Sequence, residues 1–223
     1  MSTIFGHSPA QSESRQVIPG HSIILFSLFI LSPLFFMLPG ALRLGKHRPT
    51  SFDGVVTVDD AIAACRRTRL RGWALVAFAQ RMVYRKFAIY GTRNLWDSPA
   101  RAFEHGIGYC TQYNLALKQI LDGLGFETRA VFCLKVRVLD DGRWTMGHTW
   151  LRVTIDGEKR DVCAGGSQNG PGRNRFAPLW PVLPGPRPLL FLTHLGLILF
   201  CAFVEWKAVL TGRPAPYWTY IER

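Results

Sequence analysis

The longest apolar stretch in this chain comes early. From His21 to Leu42 almost every position is apolar, with Ile23–Leu31 followed by Ser32-Pro33 and a second apolar run. About 20 such residues match the hydrocarbon thickness of a bilayer, and a proline inside a membrane helix is tolerated because neighbouring groups re-satisfy the freed backbone. Only Arg15 carries positive charge ahead of the run, and no Ala-x-Ala pattern follows it. The pattern therefore predicts a signal anchor over residues 21–43, preceded by a loose polar tail over 1–20, rather than a cleaved signal peptide.

Past residue 44 the periodicities change. Val58, Ile62, Cys65, Leu70, Trp73, Val76 and Met82 track one face and predict helix from Val58 to Arg85. A loop over Tyr90–Ser98 and a short helix over Pro99–His105 follow. Cys110 to Leu124 reads as an amphipathic helix with Tyr113, Leu117, Ile120, Leu121 and Leu124 turned inward, and Gly123 and Gly125 at its end. The period then drops to two. Ala130, Phe132, Leu134, Val136 and Val138 alternate with Val131, Cys133, Lys135 and Arg137, which predicts a strand from Phe126 to Leu139. Asp140-Asp141-Gly142 is a turn, His148–Ile155 a second strand, Asp156-Gly157 a hairpin turn and Glu158–Ala164 the return strand. Helices first and antiparallel strands after make residues 44–187 an α+β domain.

Four prolines at 181, 184, 186 and 188 lead into a second apolar run from Leu189 to Val204. It is short for a full span. A second membrane helix over 188–206 is the expectation, with a hairpin or a docked core helix as the alternatives, and residues 207–223 form a tail. Arg43, Lys46 and Arg48 follow the first run, and Arg173, Arg175 and Arg187 precede the second. By the positive-inside rule the domain between them faces the cytoplasm.

Charge and cysteine content narrow the functional classes. The 223 residues carry 27 Lys+Arg against 15 Asp+Glu, a formal +12. Arg66, Arg67, Arg69 and Arg71 form a basic cluster, but no recognised nucleic-acid motif accompanies it. With two apolar segments present, an anionic membrane surface is the expected counterpart, and no nucleic-acid partner is. Five cysteines (65, 110, 133, 163 and 201) make an odd set without zinc-ribbon spacing, which argues against a disulfide framework and fits a reducing compartment.

Two of the polar residues sit where cysteine chemistry needs them. Gly106-Ile107-Gly108-Tyr109-Cys110 is a glycine-punctuated turn that runs directly into a helix. Free N–H groups at a helix start favour a thiolate and can stabilise an oxyanion. His148 follows Gly147 at a strand start, where its ring could deprotonate a thiol and later protonate a leaving amine. Asp161 is the candidate orienting acid, with Asn169 in reserve. If Asp156 and Gly157 are the central turn residues, however, Asp161 lies opposite Arg152, four residues along the ladder from His148, too far for a direct hydrogen bond at ~3.3 Å per residue. A bulge after Val162 could close the gap. Zinc binding by Cys110, Cys133, His148 and Cys163 is an alternative without close-spaced ligand pairs.

Phe103 to Gly165 resembles the transglutaminase-like superfamily of papain-like cysteine enzymes. The likeness rests on the G-x-G-x-C start, the helix ending Leu121-Asp122-Gly123-Leu124-Gly125-Phe126, the Arg129-Ala130-Val131 strand, the G-H-x-W run and the downstream acid. Trp96 and Ser98 look like the loop that leads into the cysteine segment. The resemblance implies a cysteine-bearing helix packed on an antiparallel sheet, with Cys110 as nucleophile, His148 as base and Asp161 as orienter. Members with a similar Asp-Gly hairpin place the acid about two residues later, at the position of Cys163. Arylamine N-acetyltransferases are similar in part: Gly108, Cys110 and Asn114 match their R-G-G-x-C-x-E-x-N, and Asp161-Val162 begins a similar run. Together these imply a membrane-anchored acyl-transfer enzyme or hydrolase acting on an amide of a peptide or protein, with no cofactor. Acetyl-coenzyme A chemistry and a catalytically silent peptide-binding scaffold are the alternatives.

Overall fold

A computed structural model describes residues 51–92, 94–139, 145–185, 187–216 and 219–222. The expected tail over 1–20, the anchor over 21–43 and the Asp140-Asp141-Gly142 turn lie outside the described residues.

The segment expected as one helix forms two, α1 (Val58–Arg67) and α2 (Gly72–Lys86). Thr57 and Asp60 make a reciprocal capping box at the start of α1. At its end the Thr68 hydroxyl donates to the Cys65 carbonyl, and Gly72 turns the chain with φ of +52°. A side chain bonding back to the helix competes with continuation, and glycine supplies the left-handed residue the corner needs. Strand β1 (Ile89–Gly91) occupies part of the expected loop. Helix α3 (Pro99–His105) opens with Ser98 accepting from Arg101 N–H and closes on Gly106 at φ +69°. Strand β2 (Ile107–Gly108) then leads into α4 (Cys110–Gly123).

The main sheet contains β3 (Glu127–Val138), β4 (Thr145–Ile155), β5 (Glu158–Val162), β6 (Phe176–Pro178) and the short β7 (Leu183–Pro184). Its order is β5-β4-β3-β6, with β7 also on β3, and every described pairing is antiparallel. Asp156 and Gly157 both take positive φ, 50° and 82°, as a mirror-image two-residue hairpin requires. The resulting register sets Arg152 against Asp161. Between Cys133 and Val136 the β3–β4 register shifts by one residue, and Cys133↔His148 is the last pair before the shift. The irregularity sits beside the candidate base, where bulges re-aim side chains.

Helix α4 packs on β3 and β4, with α1 and α2 against its other side. The core between them includes Val76, Val83, Phe87, Phe103, Leu117, Ile120, Leu121, Leu151, Val153 and Val162, all buried. This is the α+β arrangement of a cysteine-bearing helix on an antiparallel sheet. A smaller sheet, order β2-β1-β8, adds β8 (Tyr220–Glu222) beside β1.

The second apolar run forms α5 (Arg187–Leu210). Ile198, Cys201, Glu205 and Ala208 recur at helical spacing and are buried, so this face is docked, whereas Leu192, Leu199, Phe200, Phe203 and Leu210 are exposed. Among the described residues no helix is long and apolar enough to cross a membrane. The docked-helix alternative accounts for the buried face.

Candidate active site

The start of α4 is held by a polar clamp. The Tyr109 N–H donates to Gln112 Oε1 at 3.3 Å, and Gln112 Nε2 donates to the carbonyls of Asn94 (2.8 Å) and Asp97 (3.0 Å). Asn94 Nδ2 in turn donates to the Ile107 carbonyl at 2.7 Å. The loop before the cysteine segment is thereby tied to the helix that carries Cys110. Gly108 is required by close approach: a Cβ there would lie 2.8 Å from the Phe87 ring and 3.0 Å from Gln112 Oε1.

Cys110 is buried, with 8% of its surface exposed. Its sulfur is approached by the Thr149 N–H, the Thr111 hydroxyl, the Thr111 N–H and its own N–H. Thr149 is the residue after His148, so the thiol lies against the strand that carries the candidate base. Burial pushes this thiol above its usual 9.0, and the four donors pull it only partly back. The helix start was expected to lower it; desolvation outweighs that effect. Cys110 therefore rests as a thiol.

His148 is buried. Its ring packs edge-on to Phe176 (centroids 4.6 Å apart) and stacks near Trp150 (6.0 Å). Its Nε2 lies 3.3 Å from Cys163 Sγ. His148, Trp150 and Cys163 share a face of the sheet, because Leu151 pairs with Val162 and side chains alternate.

Asp161 is placed elsewhere. Its carboxylate accepts from Arg152 Nε at 2.8 Å and Nη2 at 3.3 Å. The register fixes this pair and leaves Asp161 four residues along β4 from His148. β5 ends at Val162, and the next residue, Cys163, not Asp161, reaches the imidazole. Asp161→Asn should leave acyl transfer at Cys110 unchanged and cost no more than about 1 kcal/mol, since the ion pair is partly exposed; chemical denaturation alongside an acylation assay measures both. Asn169, the reserve candidate, donates to the Cys163 carbonyl and accepts from the Arg175 N–H, so it braces the corner rather than the histidine.

The buried Asn114 joins the parts. Its Nδ2 donates to the carbonyls of Cys110 (3.1 Å) and Thr149 (2.7 Å) and lies 3.6 Å from Cys163 Sγ, while its Oδ1 accepts from the Ala164 N–H at 2.9 Å. One side chain thus connects the nucleophile's helix, the base's strand and the Cys163 corner. Gln80 adds a 2.8 Å bond from Nε2 to the Cys163 carbonyl. Sequence reasoning marked Asn114 only as a motif match and did not single out Gln80 or Gln112. Their signal was a polar residue on the inward face of a helix.

The zinc alternative does not assemble. Cys133 Sγ donates to the carbonyls of Lys135 and Trp180, and among the described residues no group of three or more His, Cys, Asp or Glu could hold a metal. A cleft of about 590 Å³ opens beside the site, lined by Arg152, Lys159, Arg160, Asp161, Asn174 and Phe176. Phe176 belongs both to this cleft and to the wall of His148.

No protein-family model and no curated protein matches the chain. Solved structures are similar to it. One is from Cytophaga hutchinsonii and is described as a cysteine protease (10% identity, TM-score 0.39, covering 58% of this chain and 49% of that one). Another is LapG of Legionella pneumophila (14%, TM-score 0.36, 65% and 97%). A third is an arylamine N-acetyltransferase of M. smegmatis (16%, TM-score 0.35, 71% and 67%). The chain spans about half the length of the first.

Proposed function

We propose that this protein is a cysteine acyl-transfer enzyme in which Cys110 attacks the carbonyl of an amide or thioester in a peptide or protein. The carrying observation is the seat of Cys110: a buried thiol at the first turn of α4, a helix packed on the strand that carries His148. His148 takes the thiol proton as the S–C bond forms. The N–H groups of Cys110 and Thr111, at the start of α4, stabilise the tetrahedral oxyanion. Collapse expels the amine or thiol, protonated by His148, and leaves a thioester on Cys110. Water or an amine then releases the acyl group, so peptidase and transferase use the same residues. The bonds and proton transfers balance without a cofactor.

The test is acylation by p-nitrophenyl acetate with peptide mapping. The acetyl group should be found on Cys110 and be lost in His148→Ala. Label on another cysteine, or none on any, would overturn the proposal in favour of a peptide-binding scaffold.

Membrane attachment, with the domain facing the cytoplasm, belongs to the same proposal. It is supported by the apolar composition of residues 21–42, by the basic residues after them and by the exposed apolar face of α5. Full-length protein should stay with the membrane fraction through carbonate extraction, and deletion of residues 1–43 should release most of it. Extraction of the full chain by carbonate would refute the anchor.

A further inference from the structure

The cleft that Phe176 shares with the wall of His148 is lined by three cations, Arg152, Lys159 and Arg160, and one carboxylate, Asp161. Arg152, Lys159 and Asp161 stand on one face of the β4–β5 pair, because Arg152 is paired with Asp161 and Lys159 lies two residues along β5. The cations are held in different ways. Asp161 takes two of the five guanidinium N–H groups of Arg152. Arg160 gives its Nε–H to Glu158 at 2.8 Å and lies over the Trp73 ring, 4.5 Å from its centroid, while its stem runs beside Gly172. The Lys159 ammonium has no ion-pair partner among the described residues. The facing wall is fastened to β5: the Asp161 carbonyl accepts from the Gly172 N–H at 2.9 Å and from Asn174 Nδ2 at 3.2 Å. With Glu158 counted, three cations stand against two carboxylates, so one positive charge is left over.

Two anchored guanidiniums, one unpaired ammonium and a single surplus charge fit a planar monoanion. The guanidinium N–H groups that Asp161 and Glu158 leave unused form edges that match a carboxylate. We propose that this cleft is a subsite for an acidic residue of a peptide, whose side-chain carboxylate is received by Lys159 and the unused N–H edges of Arg152 and Arg160. A doubly charged phosphate suits it less, since Asp161 stands in the lining and only one charge is uncompensated. Phe176 and Pro178 supply an apolar wall for the methylenes of that side chain. Because Arg152 and Arg160 are already held, little side-chain freedom is lost on binding. The subsite names the substrate class for the site at Cys110 and rests on the acyl-transfer reading for its catalytic meaning: Phe176, packed on the His148 ring, sets the acidic residue beside the base.

The experiment is an NMR titration of the full chain with an acetylated, amidated Gly-Ala-Glu-Ala-Gly peptide and its Gln and Lys counterparts. The Glu peptide should bind about fivefold or more tighter than the Gln peptide, move the Nε–H signals of Arg152 and Arg160, and lose its margin as salt rises. Lys159→Gln should remove most of that margin, and Lys159→Glu should turn the preference to the Lys peptide. Lys159 is exposed, so neither change threatens the fold. Arg81→Glu, the same change of charge at an exposed position of α2 outside the cleft, should leave the preference intact. Equal binding of the three peptides would overturn the proposal. So would a Glu preference that Arg81→Glu weakens as much as Lys159→Glu does, because the net charge of +12 would then be its cause. Binding that leaves both guanidinium signals unmoved would place the acid elsewhere and overturn it too. The two readings fail separately. Peptide binding needs no reaction, so a Glu preference without acylation of Cys110 removes the enzyme and keeps the subsite. Acylation of Cys110 with no preference among the peptides removes the subsite alone.

Discussion

Cys110→Ser is expected to reduce acyl-enzyme formation from an activated ester by about 10³-fold or more, because the hydroxyl lacks the acidity and nucleophilicity of the thiol. His148→Ala should cost about 10²- to 10⁴-fold at neutral pH, the usual contribution of a positioned base. The pH profile separates these causes. Burial holds the Cys110 thiol above its ordinary range, so without help it stays protonated at neutral pH. Without the base, acylation should climb about tenfold per pH unit through pH 8 and 9, since only hydroxide then supplies the thiolate. Wild type should be much flatter over that window, because His148 removes the proton during attack. A steep wild-type profile matching that of His148→Ala would show that the histidine does not serve this cysteine. Stopped-flow release of p-nitrophenolate measures both profiles.

This pH dependence also shows where the sequence was informative and where it was not. The helix from Cys110, the strand pair and the hairpin were legible because each is written in a local period or turn: inward positions on α4, alternation on β3, and Asp156-Gly157 with two positive φ values. That hairpin also fixed the Arg152–Asp161 pairing, and with it the distance of Asp161 from His148. Effects set by tertiary structure were not legible. The helix start suggested an acidic thiol, but the core that closes over Cys110 reverses the sign. The break between α1 and α2 comes from one Thr68 hydroxyl and one glycine conformation, neither of which disturbs the apolar period enough to be seen. The run 189–204 has the composition of a membrane segment, and only packing shows that Ile198, Cys201, Glu205 and Ala208 face protein. Cys163 lay on the right face by parity. Its approach to the imidazole depends on how the chain leaves β5 after Val162.

Asn114 should be the most sensitive non-reacting residue of the site. Asn114→Ala removes the partner of the Ala164 N–H and of the Thr149 carbonyl, and empties a site that is 0% exposed. Leaving buried backbone groups unbonded costs about 1–3 kcal/mol each, so a loss of about 3 kcal/mol is expected. In a domain of this size that lowers Tm by roughly 6–12 °C. Asn114→Asp discriminates between shape and bonding. It fills the same volume and still accepts from Ala164, but presents an oxygen to the Cys110 and Thr149 carbonyls and to the Cys163 sulfur. Two acceptors face to face repel, so the isosteric change should be at least as damaging as the truncation. Acylation of Cys110 should fall in both variants even below their melting range, because the helix start and β4 are no longer tied at Thr149. If Asn114→Asp instead melted like wild type and kept full acylation, the donor role of Nδ2 would be wrong, and the Cys110, Thr149 and Cys163 segments would have to be held together by packing alone.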